Sequence, residues 1–410
     1  MPSHPPHPRP AHTPPPRRAL AEVRRSFLPL GWTAFGGPAA HLGYFHTEFV
    51  KRRRWLDESS YADLVAMSQF LPGPASSKVG MALGYHRAGV AGMAYSWFLF
   101  TFPSALIMAL CGLVVAPSGG QGPLDRALHG ALAGLLAAAA GVVAHAALGM
   151  ARTLLRTPLA WVLAVLSTVL LIVAGSSWQL AVIVSAGVIG ATVARGRLGV
   201  AQREDSATVL RGVSAPVAWV CLAAFFVLLV GLEALSRLSD AYLITRANAF
   251  YQSGALVFGG GHVVLPLLES TFVGAGWLGQ EEFLAGYSVA QGVPGPLFTF
   301  ASYLGAVDGG VGGAILGTVL IFLPGALLTV AALHFWARWQ HLEWLRNAFA
   351  AINAAVIGLL LAALWDPILT HGVTGWLSAG VAVAAFAALH LKAPPWSVAV
   401  GAALLGVLLL

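Results

Sequence analysis

Apolar runs at 89–115, 127–150, 158–175, 178–195, 311–335, 344–365, 373–390 and 395–410 are the clearest spanning candidates in this chain. Each is long enough, or nearly so, to cross a hydrocarbon core of about 30 Å at 1.5 Å per residue. Only 10% of the residues are charged and 58% are hydrophobic, against roughly 25% charged in a soluble domain. Too little polar surface remains to cover a folded chain in water, so lipid is its solvent. The net charge of +7 belongs to Lys and Arg clustered between apolar runs, as in cytoplasmic loops, and not to a nucleic-acid patch.

The second constraint is an internal duplication. Phe35-Gly36-Gly37 returns as Phe258-Gly259-Gly260, and Trp55-Leu56 as Trp277-Leu278. Gln69-Phe70-Leu71-Pro72-Gly73-Pro74 returns as Gln291-Gly292-Val293-Pro294-Gly295-Pro296, and Phe102-Pro103-Ser104-Ala105 as Leu323-Pro324-Gly325-Ala326. Co-linear blocks at a nearly constant offset mark two copies of one unit. The predicted organisation is a disordered Pro-rich tail at 1–24, a first copy at 25–195, a cytoplasmic linker with an extra apolar helix at 196–245, and a second copy at 246–410. His4, His7 and His12 in the tail read as solvated low-complexity sequence before any metal site. Cys111 and Cys221 lie in apolar runs and offer neither a disulfide framework nor a metal-ligand spacing.

Loop charge predicts that the copies are inverted. Lys51-Arg52-Arg53-Arg54 marks the cytoplasm, whereas the counterpart at 269–282 holds acids and no base. Inversion requires an odd number of crossings between equivalent points, and a plain count of apolar runs is even. Either 216–236 or the Gly-broken FGG segments therefore stop short of crossing. The expected fold is an all-α integral membrane protein of two homologous, inverted repeats with broken helices and re-entrant hairpins.

The breaks carry the candidate chemistry. Proline removes backbone donors and ends a helix, so 60–87 and 282–306 read as hairpins that turn at PGP and leave on the side they entered. The second arms start at Ala75-Ser76-Ser77-Lys78 and Leu297-Phe298-Thr299. A helix start has unpaired N–H groups and the positive end of the dipole, which suits an anion. Gly73 and Gly295 allow close backbone approach there; Ser76, Ser77, Thr299, Gln69 and Gln291 add donors. Lys78 is an intramembrane cation and a functional candidate by default. Gly36 and Gly37, with Gly259 and Gly260, should unwind a helix beside the substrate. His41 and His262 follow those breaks and join Glu48 and Glu269 as proton-coupling candidates. Plainer readings stay open at each place: PGP as a loop between tilted spans, Lys78 snorkelling to a surface, the glutamines bridging helices, the histidines packing.

These residues resemble the chromate ion transporter family. The resemblance rests on FGGPAAH at 35–41, RRRWLDE at 52–58, SQFLPGPASSKVG at 68–80, FGGGHVVLPLL at 258–268 and QGVPGPLFTFASYLG at 291–305, and covers about 25–410. It implies a multi-pass protein of the bacterial inner membrane that exports chromate from the cytoplasm, driven by the proton motive force and conferring resistance. Long members have two homologous halves; short members work as paired single halves. The second copy departs from the first in placing Phe300 where Lys78 would be. Chromate has the size and shape of sulfate, so transport of sulfate or a related oxyanion is the alternative, followed by an anion channel or a membrane-embedded enzyme. No nucleophile with its base, metal cluster or cofactor loop is legible, so neither catalysis, a cofactor nor a metal is expected. The implied partners are chromate or a sulfate-like oxyanion, protons and the bilayer, with oligomeric state left open and a homodimer among the options.

Overall fold

A computed structural model of the protein describes residues 16–35, 37–115, 123–175, 178–192, 212–257, 264–339 and 342–409. All regular structure among them is helical. The first copy comprises α1 (Pro16–Thr33), α2 (Gly37–Phe45) with a π-helical continuation to Arg52, α3 (Glu58–Phe70), α4 (Ala75–Val115), α5 (Pro123–Leu154), α6 (Pro158–Ala174) and α7 (Gln179–Thr192). After α8 (Ala215–Leu238), the second copy comprises α9 (Tyr242–Ala255), α10 (Val264–Phe272), α11 (Gln280–Gly292), α12 (Phe300–Trp339), α13 (Glu343–Ala363), the short α14 (Thr370–Gly372), α15 (Trp376–His390) and α16 (Pro395–Leu409). Five segments among the described residues are long and apolar enough to cross a membrane: 75–114, 133–152, 215–238, 297–336 and 343–366.

Two of those five are hairpins and not straight rods. In α4 the helix breaks at Ala88 and Gly89, and in α12 at Gly309 and Gly310. Gly89 and Gly310 share the same left-handed backbone, with φ of 65° and 61°, a conformation glycine adopts without the cost of a Cβ clash. A Cβ added to Gly84 would sit 2.3 Å from the Gly92 carbonyl oxygen, and one on Gly305 2.1 Å from that of Gly313. Such contact across the break means that each short first arm folds back against a long second arm. In a straight helix those glycines would be about 12 Å apart along the axis.

The FGG segments fold back as well. Phe27 of α1 stacks on Phe49 after α2, with ring centroids 4.9 Å apart, and Phe250 of α9 meets Phe272 of α10 at the same 4.9 Å. Of the two options left by the even count of apolar runs, α8 is a full-length, largely uncovered helix, and each FGG segment folds back on itself. A correction concerns the tail. Residues 16–24, read as disordered, are helical, because Ala19 and Val23 turn into the core; residues 1–15 lie outside the described set. The second copy's first helix likewise begins at Tyr242, ahead of the expected boundary at 246.

The two copies meet through their long arms. The Trp97 and Phe322 rings are 6.0 Å apart, and further along α4 a Cβ on Gly112 would lie 2.7 Å from Ala306, which is level with the Gly305–Gly313 contact. Numbering rises on one arm as it falls on the other, so the equivalent arms run antiparallel. Outside this centre, α5 packs on α16 and α15 through small residues: a Cβ on Gly134 would fall 2.0 Å from the Ala402 carbonyl, and one on Gly141 2.2 Å from that of Ala382. In lipid, where apolar burial drives little association, such backbone approach supplies the van der Waals contact that holds helices together.

Candidate functional site

Each PGP turn is seated against the opposite copy. Gly73 donates its N–H to the Val257 carbonyl at 2.7 Å, and Gly295 donates to the Ala34 carbonyl at 2.9 Å. The acceptors are equivalent residues, each just before an FGG. Both turn glycines have left-handed φ, 95° and 101°. A Cβ on Gly73 would come 3.3 Å from the Gly325 Cα, and one on Gly295 2.7 Å from the Ser104 hydroxyl. The tips of the two hairpins thus converge on the long arms of the opposite copy, beside the Trp97–Phe322 crossing. Short arms with tips held by protein are how broken backbone is tolerated at membrane depth.

In the first copy, the helix start beyond the turn is polar and buried. Ser76, Ser77, Lys78 and His41 are each at most 2% exposed. His41 Nε2 lies 3.0 Å from the Ala34 carbonyl and Nδ1 3.2 Å from the Ser76 hydroxyl. A carbonyl only accepts, so Nε2 carries the proton; in the neutral ring Nδ1 then accepts from Ser76. The Ala34 carbonyl therefore receives both His41 and the opposite tip at Gly295. The Ser77 hydroxyl has no protein partner, which leaves a buried donor next to the free N–H groups of the first turn.

Lys78 is placed differently from a freely presented cation. Its ammonium donates to the carbonyls of Leu71 and of Pro72, the latter at 3.0 Å, and its stem lies along Gly325 of the other copy. Those carbonyls end α3, where the helix dipole is negative. Lys78 does not snorkel: it is fully buried and tied to backbone.

The other candidates separate. Thr299 is buried and donates its hydroxyl to the Pro296 carbonyl. Gln69 lies exposed on α3, and Gln291 is half-buried. Gly37 follows the first FGG break with φ of 74°. Glu48 is paired with Arg52 at 3.2 Å and with Arg53. Glu269 sits apart on α10, in a polar cavity. Gly36, Gly259, Gly260 and His262 lie outside the described residues.

Sequence reasoning missed an ion pair that the duplication repeats with its charges exchanged. Arg87 binds Glu22 in the first copy under Trp55, at 5.4 Å from the ring centre. In the second, Arg246 makes two hydrogen bonds of 2.9 Å to Asp308 and lies 3.5 Å from the Trp277 ring centre. The repeated Trp55-Leu56 and Trp277-Leu278 were the available signal. The exchange of sign hid the rest.

The chain is 29% identical over 321 residues to the "Probable chromate transport protein" of Synechococcus elongatus, covering 77% of this chain and 76% of that one. It is 28% identical over 357 residues to the "Chromate transport protein" of Pseudomonas aeruginosa, covering 86% and 82%, and 27% identical over 352 residues to that of Cupriavidus metallidurans, covering 85% and 82%. No solved structure matches. The sequence profile described as "Chromate transporter" matches residues 21–191 and 244–407, one stretch for each copy, and the chain belongs to the chromate transporter family.

Proposed function

We propose that this protein is a secondary transporter that exports chromate from the cytoplasm, coupled to the proton gradient, and so confers chromate resistance. The observation that carries the reading is the reciprocal seating of the two PGP tips, Gly73 on Val257 and Gly295 on Ala34. It brings two helix starts to the centre of a bundle built from two copies. A dianion fits there for an electrostatic reason: two helix N-termini supply roughly one positive charge equivalent. In the first copy Ser77 and the first-turn N–H groups are the nearest donors, and Lys78 offsets the negative end of α3 so that the site as a whole favours an anion.

Inversion of the copies supports alternating access. Between equivalent points lie the long arm of α4, then α5, the short pair α6 and α7, and α8. The pair contributes two crossings or none, so the total is odd either way. An odd total agrees with the basic loop at 51–54 and the acidic one at 269–282 facing opposite sides. Proton carriage falls to His41, beside the anion donors, and to Glu269; Glu48 is occupied by its arginines, and His262 is the remaining candidate.

Sulfate is the second reading, because tetrahedral oxyanions of equal size meet the same donors. Purified protein in vesicles, loaded with radiolabelled chromate or sulfate with and without a pH gradient, tests both. Chromate efflux that accelerates with the gradient and is weakly inhibited by sulfate is expected. Equal rates without a gradient indicate a channel, and tighter competition by sulfate reassigns the substrate.

A further inference from the structure

A polar cavity of about 560 Å³ lies away from the PGP tips, between the end of α6, the start of α7, α10, the start of α11 and the turn after α13. Its polar lining is Gln179, Glu269, Gln280, Asp366 and Thr370. Two carboxylates share it, and among the described residues no basic side chain pairs with either. Thr370 donates to Asp366 at 2.8 Å, leaving Glu269 without such a donor. Gln179 is only 6% exposed; its amide nitrogen donates to the Pro266 carbonyl at 3.2 Å, and its oxygen has no protein partner. A buried acceptor beside two carboxylates calls for a donor from the cavity. The lining repels a dianion, so this is not the route of chromate.

We propose that Glu269 and Asp366 form a proton-binding site, filled through this cavity and separate from the oxyanion site. The cavity holds water that hydrogen-bonds Gln179, and the Glu269 carboxyl takes up and gives up one proton, with Asp366 as the like charge that keeps it there. Burial, and then the charge of Asp366, push the Glu269 carboxyl up to about 7. It is therefore protonated on an acidic side and ionised on an alkaline one. Among the described side chains, Arg246 on α9 is held by Asp308, Glu282 on α11 caps the Gly279 N–H, Glu281 is exposed, and Glu343 and Arg346 lie at the far end of α13. On the topology proposed above, the cavity opens outward, so protons load from outside while chromate leaves elsewhere. The assignment of the site to coupling rests on that proposed function.

The test is an infrared titration of the purified protein in nanodiscs without substrate, paired with transport in vesicles. The wild type should show one carboxyl deprotonating near neutral pH. Glu269→Gln should lose it, and Asp366→Asn should move it to lower pH by removing the like charge. In vesicles, Glu269→Gln should lose acceleration by a pH gradient with its half-saturating chromate concentration unchanged. A titration identical in wild type and Glu269→Gln overturns the site, as does a band that responds to sodium in place of protons. A titration lost in Glu269→Gln, together with wild-type transport indifferent to the gradient, keeps the site and overturns proton-coupled export.

Discussion

The two PGP hairpins have the same backbone and opposite interiors. In the first copy, Asp63, Ser68, Ser76, Ser77, Lys78 and the nearby His41 are all buried. At the place of Lys78 the second copy buries a ring: Phe300 packs on Phe283 at 5.0 Å, on Tyr287 at 5.8 Å and on Tyr303 at 6.0 Å. Even the seats differ, since the first tip meets Gly325 and the second meets Ser104. Duplication therefore preserved the scaffold while the chemistry diverged. A buried lysine needs acceptors, and Leu71 and Pro72 supply them; an aromatic cluster needs none and gains about 0.5–1.5 kcal/mol per ring pair beyond its burial. The first hairpin buries a cation and hydroxyls where the second buries Phe298 and Phe300.

The sharpest break of this comparison is topological. Cysteine at Arg52 and at Glu281, both exposed, should be labelled from opposite faces of the membrane, the first only from the cytoplasm. Labelling of both from one face removes the inverted arrangement and with it the equivalence of the hairpins. Next in size, Gly73→Leu and Gly295→Leu should each abolish vesicle transport while protein still reaches the membrane. The left-handed backbone and the seats at 3.3 and 2.7 Å leave no room for a side chain. Normal transport by either variant would make that turn an ordinary loop.

The interiors themselves are separated by one substitution in each. Lys78→Gln should raise the half-saturating chromate concentration by about tenfold or more, each ~1.4 kcal/mol being a factor of ten. Phe300→Leu should leave that concentration unchanged and lower the unfolding temperature, a cost of roughly 1–3 kcal/mol from lost packing. An affinity defect in Phe300→Leu, or none in Lys78→Gln, would erase the division of labour. Smallest are the exchanged ion pairs. Arg246→Ala removes a partner from a pair whose side chains are 14% and 7% exposed, and should cost about 3 kcal/mol. Arg87→Ala acts on side chains 19% and 24% exposed, and should cost roughly 1 kcal/mol. Thermal unfolding in detergent ranks the two, and combining Arg246→Asp with Asp308→Arg should recover most of the loss.

Much of the fold was legible because its signals are local. Hydropathy separated lipid from water, and Pro72, Pro74, Pro294 and Pro296 announced the turns, since a missing N–H acts wherever the chain goes. Legibility failed at α1, where a Pro-rich run concealed Ala19 and Val23, and at Ala88-Gly89, where one apolar run contained two antiparallel arms. At the site, the sequence identified Ser76, Ser77, Lys78 and His41 as candidates but not their partners. Gln69 looked equivalent to them and lies exposed.

Residence in the membrane, the duplication and the position of the PGP turns were determined by the sequence alone, because solvent preference and backbone freedom are properties of short stretches. The tertiary structure alone decided that Gly73 rests on Val257 and Gly295 on Ala34, that the Lys78 ammonium turns back to end α3, and that Glu269 and Asp366 face one cavity. Those are meetings of residues distant along the chain. Their identity depends on how two copies pack against each other, and no local pattern of polarity encodes that.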